Sequence, residues 1–272
     1  MVRPAAVAGT WYPATAAALA DAVDGYLGRA TREVTGDLVA LFAPHAGLVY
    51  SGPVAAHAYR LLAGRTFDAV VIVGPSHFVS FEGVAVPAAE GFDTPFGIVR
   101  IDTDITAALL DASPIVREHA QAHAREHSIE MQLPFLRRVA PQAAIVPLVM
   151  GRQTADTART LGDALGRVLG GRRALLVAST DLSHYHDAVV ASRLDAVVID
   201  HLSRLDADGL QQALESCPEH ACGGGPAVAV MRAAVQLGAR EAVVLDYADS
   251  GDVSGDKSSV VGYVAAALGR FS

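Results

Sequence analysis

Short runs of β-branched and aliphatic residues alternate with helix-like stretches along the whole chain. This alternation narrows the fold more than any other feature. The strand-like runs are Leu38–Ala43, Ala69–Val73, Ala144–Val149, Ala174–Ala178, Ala242–Leu245 and Val260–Ala265. Each is apolar at successive positions, as a strand covered by helices on both faces must be. Helical patterns fill the intervals at Ala14–Leu27, Pro53–Ala63, Ile105–Asp111, Ser128–Val139, Thr154–Leu169, Ala188–Leu202 and Pro226–Leu237. The pattern predicts an α/β fold with a central, mostly parallel or mixed sheet flanked by helices. Only Gly83–Ile101 breaks the rhythm, where Val84–Pro87 and Ile98–Ile101 read as a strand pair around a Gly/Pro-rich excursion. No repeat, low-complexity tail or Ser/Gly linker divides the sequence, so residues 1–272 read as a single domain.

Composition removes several function classes. The chain is 51% hydrophobic, enough for a buried core and against disorder. A net charge of −8 argues against a nucleic-acid binder, which needs a basic face. No apolar run reaches the ~18 residues of a membrane span. The first residues lack the continuous apolar stretch of a secretory signal, so a cytoplasmic location is expected. The two cysteines, Cys217 and Cys222, form no disulfide framework, which fits a reducing compartment. Lys257 is the only lysine, and GxxxxGK, GxSxG and GxGxxG are all missing. P-loop, nucleophile-elbow and dinucleotide-binding readings therefore lose support.

What the chain does supply is histidine, ten of them. In open α/β sheets ligands bind beyond the carboxyl ends of the strands. Leu38–Ala43 is followed by Pro44-His45-Ala46-Gly47, and Ala69–Val73 by Gly74-Pro75-Ser76-His77. Ala174–Ala178 is followed by Ser179-Thr180-Asp181-Leu182-Ser183-His184. One histidine in such a place is usually structural, but three strand ends in this pattern suit a mononuclear metal, because imidazole is the commonest protein metal ligand. Cys222, in His220-Ala221-Cys222-Gly223-Gly224-Gly225-Pro226, is the best candidate for a third ligand. It precedes a helix whose positive end lowers a thiol pKa. Its alternative is a small buried hydrophobe; Cys217 reads as inert.

A second histidine series competes. His119, His123 and His127 recur every four residues, a spacing that aligns side chains on one helical face. The HExxH arrangement is missing, so His119 and His123 read as surface residues. Glu126, His127 and Glu130 form a polar tip on an otherwise apolar helix, which suits acid/base work or support of a ligand. The alternative is an acidic helix N-terminus.

Trp11-Tyr12-Pro13, PHAG (44–47), GPSH (74–77), EHSIEMQLPF (126–135), STDLSH (179–184), CGGG (222–225) and SGDVSGD (250–256) occur in that order. Together they resemble the Memo family, the B component of the bacterial AmmeMemoRadiSam system, from about residue 4 to 268. That family resembles class III (LigB-type) extradiol dioxygenases, so the resemblance implies a class III extradiol dioxygenase-like fold. It also implies a metal site of His45, His77 and Cys222, where the extradiol relatives use two histidines and a glutamate. Asp181 and His184 match pocket residues of the family, and His127 falls in its EHS motif. Some members carry histidine where this chain has Gln132. A radical-SAM protein and an AMMECR1-like protein are the partners that the resemblance implies.

The expected function is that of a mononuclear metalloprotein with redox or oxygen-linked, dioxygenase-like chemistry on a small substrate. The cofactor is expected to be Fe(II) or Cu(I), with Zn a further candidate, since a thiolate softens the ligand set. His184 is the expected general acid or base, with His127 beside it, and Asp181 or Glu126 orients a histidine. The rival reading is a binding or scaffold protein that uses the same crevice for a peptide or small anion. A zinc hydrolase is a third.

Overall fold

The computed structural model describes residues 1–272. In chain order the strands are β1 (Val2–Arg3), β2 (Gly36–Ala43), β3 (Ala69–Pro75), β4 (Val84–Val86), β5 (Gly91–Phe92) and β6 (Val99–Arg100). They continue with β7 (Val116–Glu118), β8 (Ala144–Met150), β9 (Ala174–Ser179), β10 (His184–His186), β11 (Glu241–Asp249) and β12 (Val260–Phe271). Nine of them build one mixed sheet in the order β10-β12-β2-β9-β3-β8-β4-β7, with β11 also paired to β12. The centre, β2-β9-β3-β8, is parallel, while β12 and β4 run antiparallel to their central neighbours.

The central strands are apolar throughout because both of their faces are covered. Ala40 and Phe42 of β2 and Val71 and Val73 of β3 pack into one layer, while Leu41, Ala43, Val70 and Ile72 point into the other. That alternation is the period-2 geometry of a strand. Helices Ala155–Leu169, Ala188–Ser203 and Gly224–Gln236 cover the first face. Ala16–Arg29, Leu48–Arg60 and Leu133–Val139 cover the second. Several of the helices start where the sequence offers side-chain caps. Thr154 accepts from Thr157 N at 3.1 Å, and Asp187 accepts from Val189 N and Val190 N at 3.0 and 3.1 Å.

Four local expectations change. Val84–Val86 does not pair with the strand around Val99; it joins the large sheet between β8 and β7, and β6 pairs with β5 in a small sheet with β1. Pro53 lies inside helix Leu48–Arg60 and does not start it. The carbonyl a residue there would bond belongs to Val49, a residue that is 54% exposed. The Ser128–Val139 helix begins as a 3-10 turn at Glu130–Gln132, and the α-helix runs only over Leu133–Val139. His119, His123 and His127 do not share a helical face, because the helix between them covers only Ala120–Ala124 with His119 as its N-cap. A further helix, Ala207–Ser216, lies outside the predicted set, although Asp206 caps it and Ala207, Leu210 and Leu214 are spaced to face the core.

Candidate functional site

Because β2, β9 and β3 are parallel neighbours, their carboxyl ends share one edge of the sheet. His45, Asp181 and His77 each stand two residues beyond the end of one of these strands. Cys222 reaches the same place from the loop before helix Gly224–Gln236. The lack of a side chain at Gly223 permits this approach, since a Cβ there would come within 2.8 Å of Ser179 O and Thr180 Oγ1. Gly223 N donates to Thr180 Oγ1 at 3.0 Å and pins the loop against β9. The side chains open into a cavity of about 400 Å³, walled further by Trp11, His127, His184 and Tyr185.

Three of the four cavity histidines have one ring nitrogen fixed. His45 Nδ1 lies 2.9 Å from Ser179 Oγ, and its Nε2 faces Cys222 Sγ at 3.3 Å. His77 Nδ1 meets Glu126 Oε1 at 2.9 Å, while the His77 backbone N–H donates to Glu126 Oε2 at 2.6 Å. His184 Nδ1 lies 2.8 Å from Leu182 O. Partners of this kind orient metal-binding or proton-transferring imidazoles. His127 differs: its buried Nδ1 lacks a hydrogen-bond partner, and its ring lies against Trp11 (4.2 Å between centroids) and His77 (4.5 Å, stacked). Asp181 ties the His45 and Cys222 loops together. Its Oδ1 accepts from His45 N at 2.7 Å and Ala46 N at 3.3 Å, and its own N–H points at Cys222 Sγ at 3.4 Å.

Burial governs the charges. It lowers His45 to about 3 and His127 to about 4, and the neighbouring histidines push both in the same direction. Burial, followed by the Asp181 carboxylate, raises the Cys222 thiol well above its ordinary range. Burial raises Asp181 as well. Burial alone would also raise Glu126, but the hydrogen bonds from His77 and Ser128 outweigh it and hold this carboxyl at about 2. Burial thus keeps His45, His127 and the Cys222 thiol uncharged, while Glu126 carries a firm negative charge behind His77.

Two groups of side chains bring ligand atoms within 4.8 Å of one another: His45, His77 and His127, and His45, Asp181 and Cys222. His45 belongs to both. His77 and Cys222 flank it and do not meet in one such group. The catalytic candidates Asp181, His184 and His127 line the cavity, and Glu126 sits behind His77. Glu130 does not face the cavity. Its carboxylate is fully buried and accepts from Arg3 Nη1 (2.6 Å), Tyr12 OH (2.7 Å), Ala6 N (2.8 Å) and Val7 N (3.0 Å). It anchors the N-terminal segment that carries Trp11. His123 is buried at 2% exposure, its Nε2 bonded to Ala85 O at 3.0 Å, and is not a surface residue. His119 is half-buried against Phe81. Lys257 is held by Asp249 and Asp252 at 2.8 and 2.6 Å, and neither it nor Cys217 lines the cavity.

Residue-by-residue reading overlooked Tyr185 and Ser179. Tyr185 sits at the cavity mouth with φ +64° and 79% exposure. Nothing in its neighbours announces that backbone. Ser179 is legible only in retrospect, as the first polar residue at the end of an apolar strand.

A family model described as Memo-like protein matches residues 3–267. The chain belongs to the Memo-like family. It is 39% identical to a MEMO1 family protein of Methanopyrus kandleri over 99% of this chain and 100% of that one. A MEMO1 family protein of Ignicoccus hospitalis is 38% identical over 97% of this chain and 98% of its own length. One from Sulfolobus acidocaldarius is 40% identical over 83% and 81%. Among solved structures, an uncharacterized protein of Escherichia coli K12 superposes with a TM-score of 0.55 at 18% identity, covering 86% of this chain and all of that one. That likeness carries the fold of this Memo-like chain. No helix of the chain is long and apolar enough to cross a membrane.

Proposed function

We propose that the histidine cavity holds one metal ion on His45, His77 and Cys222 and carries out redox or oxygen-linked chemistry on a small substrate. One observation carries the reading: His45 presents its Nε2 to the Cys222 sulfur at 3.3 Å, with its other nitrogen already engaged. His77 has the same design, since Glu126 takes its Nδ1 and leaves the opposite nitrogen free. Ligating imidazoles are almost always held in this way. His127, which lacks such a partner, fits a proton-handling or substrate-facing role better than a ligand role.

The donor set fits a soft or borderline ion. Two neutral imidazoles and a thiolate favour Cu(I), Zn or an electron-rich Fe(II) over hard oxygen-seeking cations. When bound, Fe(II) or Cu(I) would supply electron-transfer or oxygen-activating capacity. The chain's own groups do the rest. Glu126 keeps His77 aimed, and Asp181 clamps the His45 and Cys222 loops to each other. His184, whose Nδ1 is spent on Leu182 O, offers its other nitrogen to move a proton in the cavity. Trp11 and Tyr185 narrow the mouth.

Metal analysis of protein purified without oxygen tests the reading. Near-stoichiometric iron or copper is expected in the wild type and a large loss in His45→Ala and Cys222→Ala. Folded Cys222→Ala that binds metal as tightly as wild type overturns the ligand set. Metal retained in His127→Ala and lost in His77→Ala separates the two histidines. Zinc alone, with hydrolysis of model esters, would favour the hydrolase, and protein without metal would favour the scaffold.

A further inference from the structure

Three buried side chains from distant parts of the sequence form a hydrogen-bond chain behind His45. Tyr59 OH donates to Gln132 Oε1 at 2.8 Å. Gln132 Nε2 donates to Pro44 O at 3.0 Å and to Ser179 Oγ at 2.7 Å. Ser179 Oγ also meets Ser128 O at 2.6 Å and His45 Nδ1 at 2.9 Å. Tyr59, Gln132 and Ser179 are each 0% exposed and His45 1%, so water does not supply alternative partners.

Every hydrogen in this chain has one consistent place. The Pro44 carbonyl can only accept, so the amide of Gln132 must turn its NH₂ group toward it. The flipped amide would set oxygen against oxygen there. Both amide hydrogens are then used, one on Pro44 O and one on Ser179 Oγ. A serine hydroxyl has a single hydrogen. The Ser128 carbonyl, another pure acceptor, takes it at 2.6 Å. Ser179 has nothing left to donate to the imidazole, so His45 Nδ1 must itself be the donor. The bare lone pair falls on Nε2, which faces the Cys222 sulfur and the cavity.

We propose that Ser179, seated by the Gln132 amide, is a positioning residue that locks His45 in its Nδ1–H tautomer and keeps the Nε2 lone pair aimed at Cys222. Neither residue touches the cavity. The tautomer is a property of the metal-free chain; its effect on metal affinity rests on the function proposed above.

The test is a long-range ¹H–¹⁵N correlation spectrum of metal-free protein with ¹⁵N-labelled histidine, the His45 signals being identified by their loss in His45→Ala. Wild-type His45 is expected to show a protonated Nδ1 and a bare Nε2, with a single tautomer. Ser179→Ala releases the lock and populates the other tautomer, while Ser179→Thr, which keeps the hydroxyl, restores the first. Zinc as a probe is expected to bind about 10–100-fold more weakly to Ser179→Ala. Wild-type His45 with its proton on Nε2 overturns the proposal even if Ser179→Ala does not fold, and so does Ser179→Ala with an unchanged single tautomer. The wild-type tautomer as stated, in a protein that takes up no metal, would sink the metal reading alone. Metal binding with the opposite tautomer would sink the lock alone.

Discussion

At the scale of single residues, buried ionisable groups dominate the behaviour of this chain. His123 lies outside the cavity, and burial lowers it from the ordinary 6.5 to about 4. As pH falls from about 6.5 toward about 4, the unfolded chain takes up a proton that His123 in the folded protein refuses. Stability contributed by this group is therefore present above 6.5 and declines across that window, by at most about 1.4 kcal/mol per pH unit. Denaturant melts of His123→Gln between these pH values are expected to show a flatter acid limb than wild type. Glu130 makes a different kind of contribution. It is the sole carboxylate on the buried Arg3 guanidinium, with both side chains at 5% exposure or less. Glu130→Gln leaves that charge unpaired, and a loss of about 3–5 kcal/mol is expected by denaturant titration. Trp11 is the only tryptophan and lies against His127, so its fluorescence is expected to report loosening of the N-terminal segment in the same variant.

At the scale of elements, the site depends on how a loop meets a strand end. The Cys222 loop lies on the end of β9 because Gly223 has no side chain there. Gly223→Ala would press a methyl group against backbone and the Thr180 side chain, at a cost of about 1–3 kcal/mol. Lifting the loop would separate Cys222 from His45. Thermal melts are expected to show modest destabilisation, and metal titration a disproportionate loss of affinity. Equal small losses in both would mean the loop absorbs the methyl group. The elements were unevenly readable. The central strands and their capped helices follow from local signals. Val84–Val86 is short and apolar, and nothing in its own residues says that β8 and β7, not the segment around Val99, will be its neighbours. His123 looked polar and exposed because its spacing with His119 and His127 mimics a helix that Ala120–Ala124 is too short to provide.

At the scale of the whole molecule, the cavity is assembled from segments that only the sheet order brings together. Its residues range from Trp11 to Val261. An ion that binds this assembled set has no equivalent site in the unfolded chain. Metal at about 100 times its dissociation constant is therefore expected to stabilise the fold by about 2.7 kcal/mol, read as a rise in Tm. Chelation should reverse the rise, and Cys222→Ala should abolish it. A wild-type Tm indifferent to iron, copper and zinc would argue that the ion does not bind at this edge.

Local sequence determined the α/β alternation, the capped helices and the placing of His45, His77 and Asp181 just past strand ends. These follow from side-chain periodicity and from the polar residues that interrupt it, both properties of neighbours in the chain. Tertiary structure decided which strands lie side by side, that Cys222 enters over Gly223, that Glu130 serves the N-terminal segment and that Gln132 and Ser179 stand behind His45. Those relations join residues far apart in the chain, and hydrogen-bond partners at such separations are chosen by packing, not by adjacent residues.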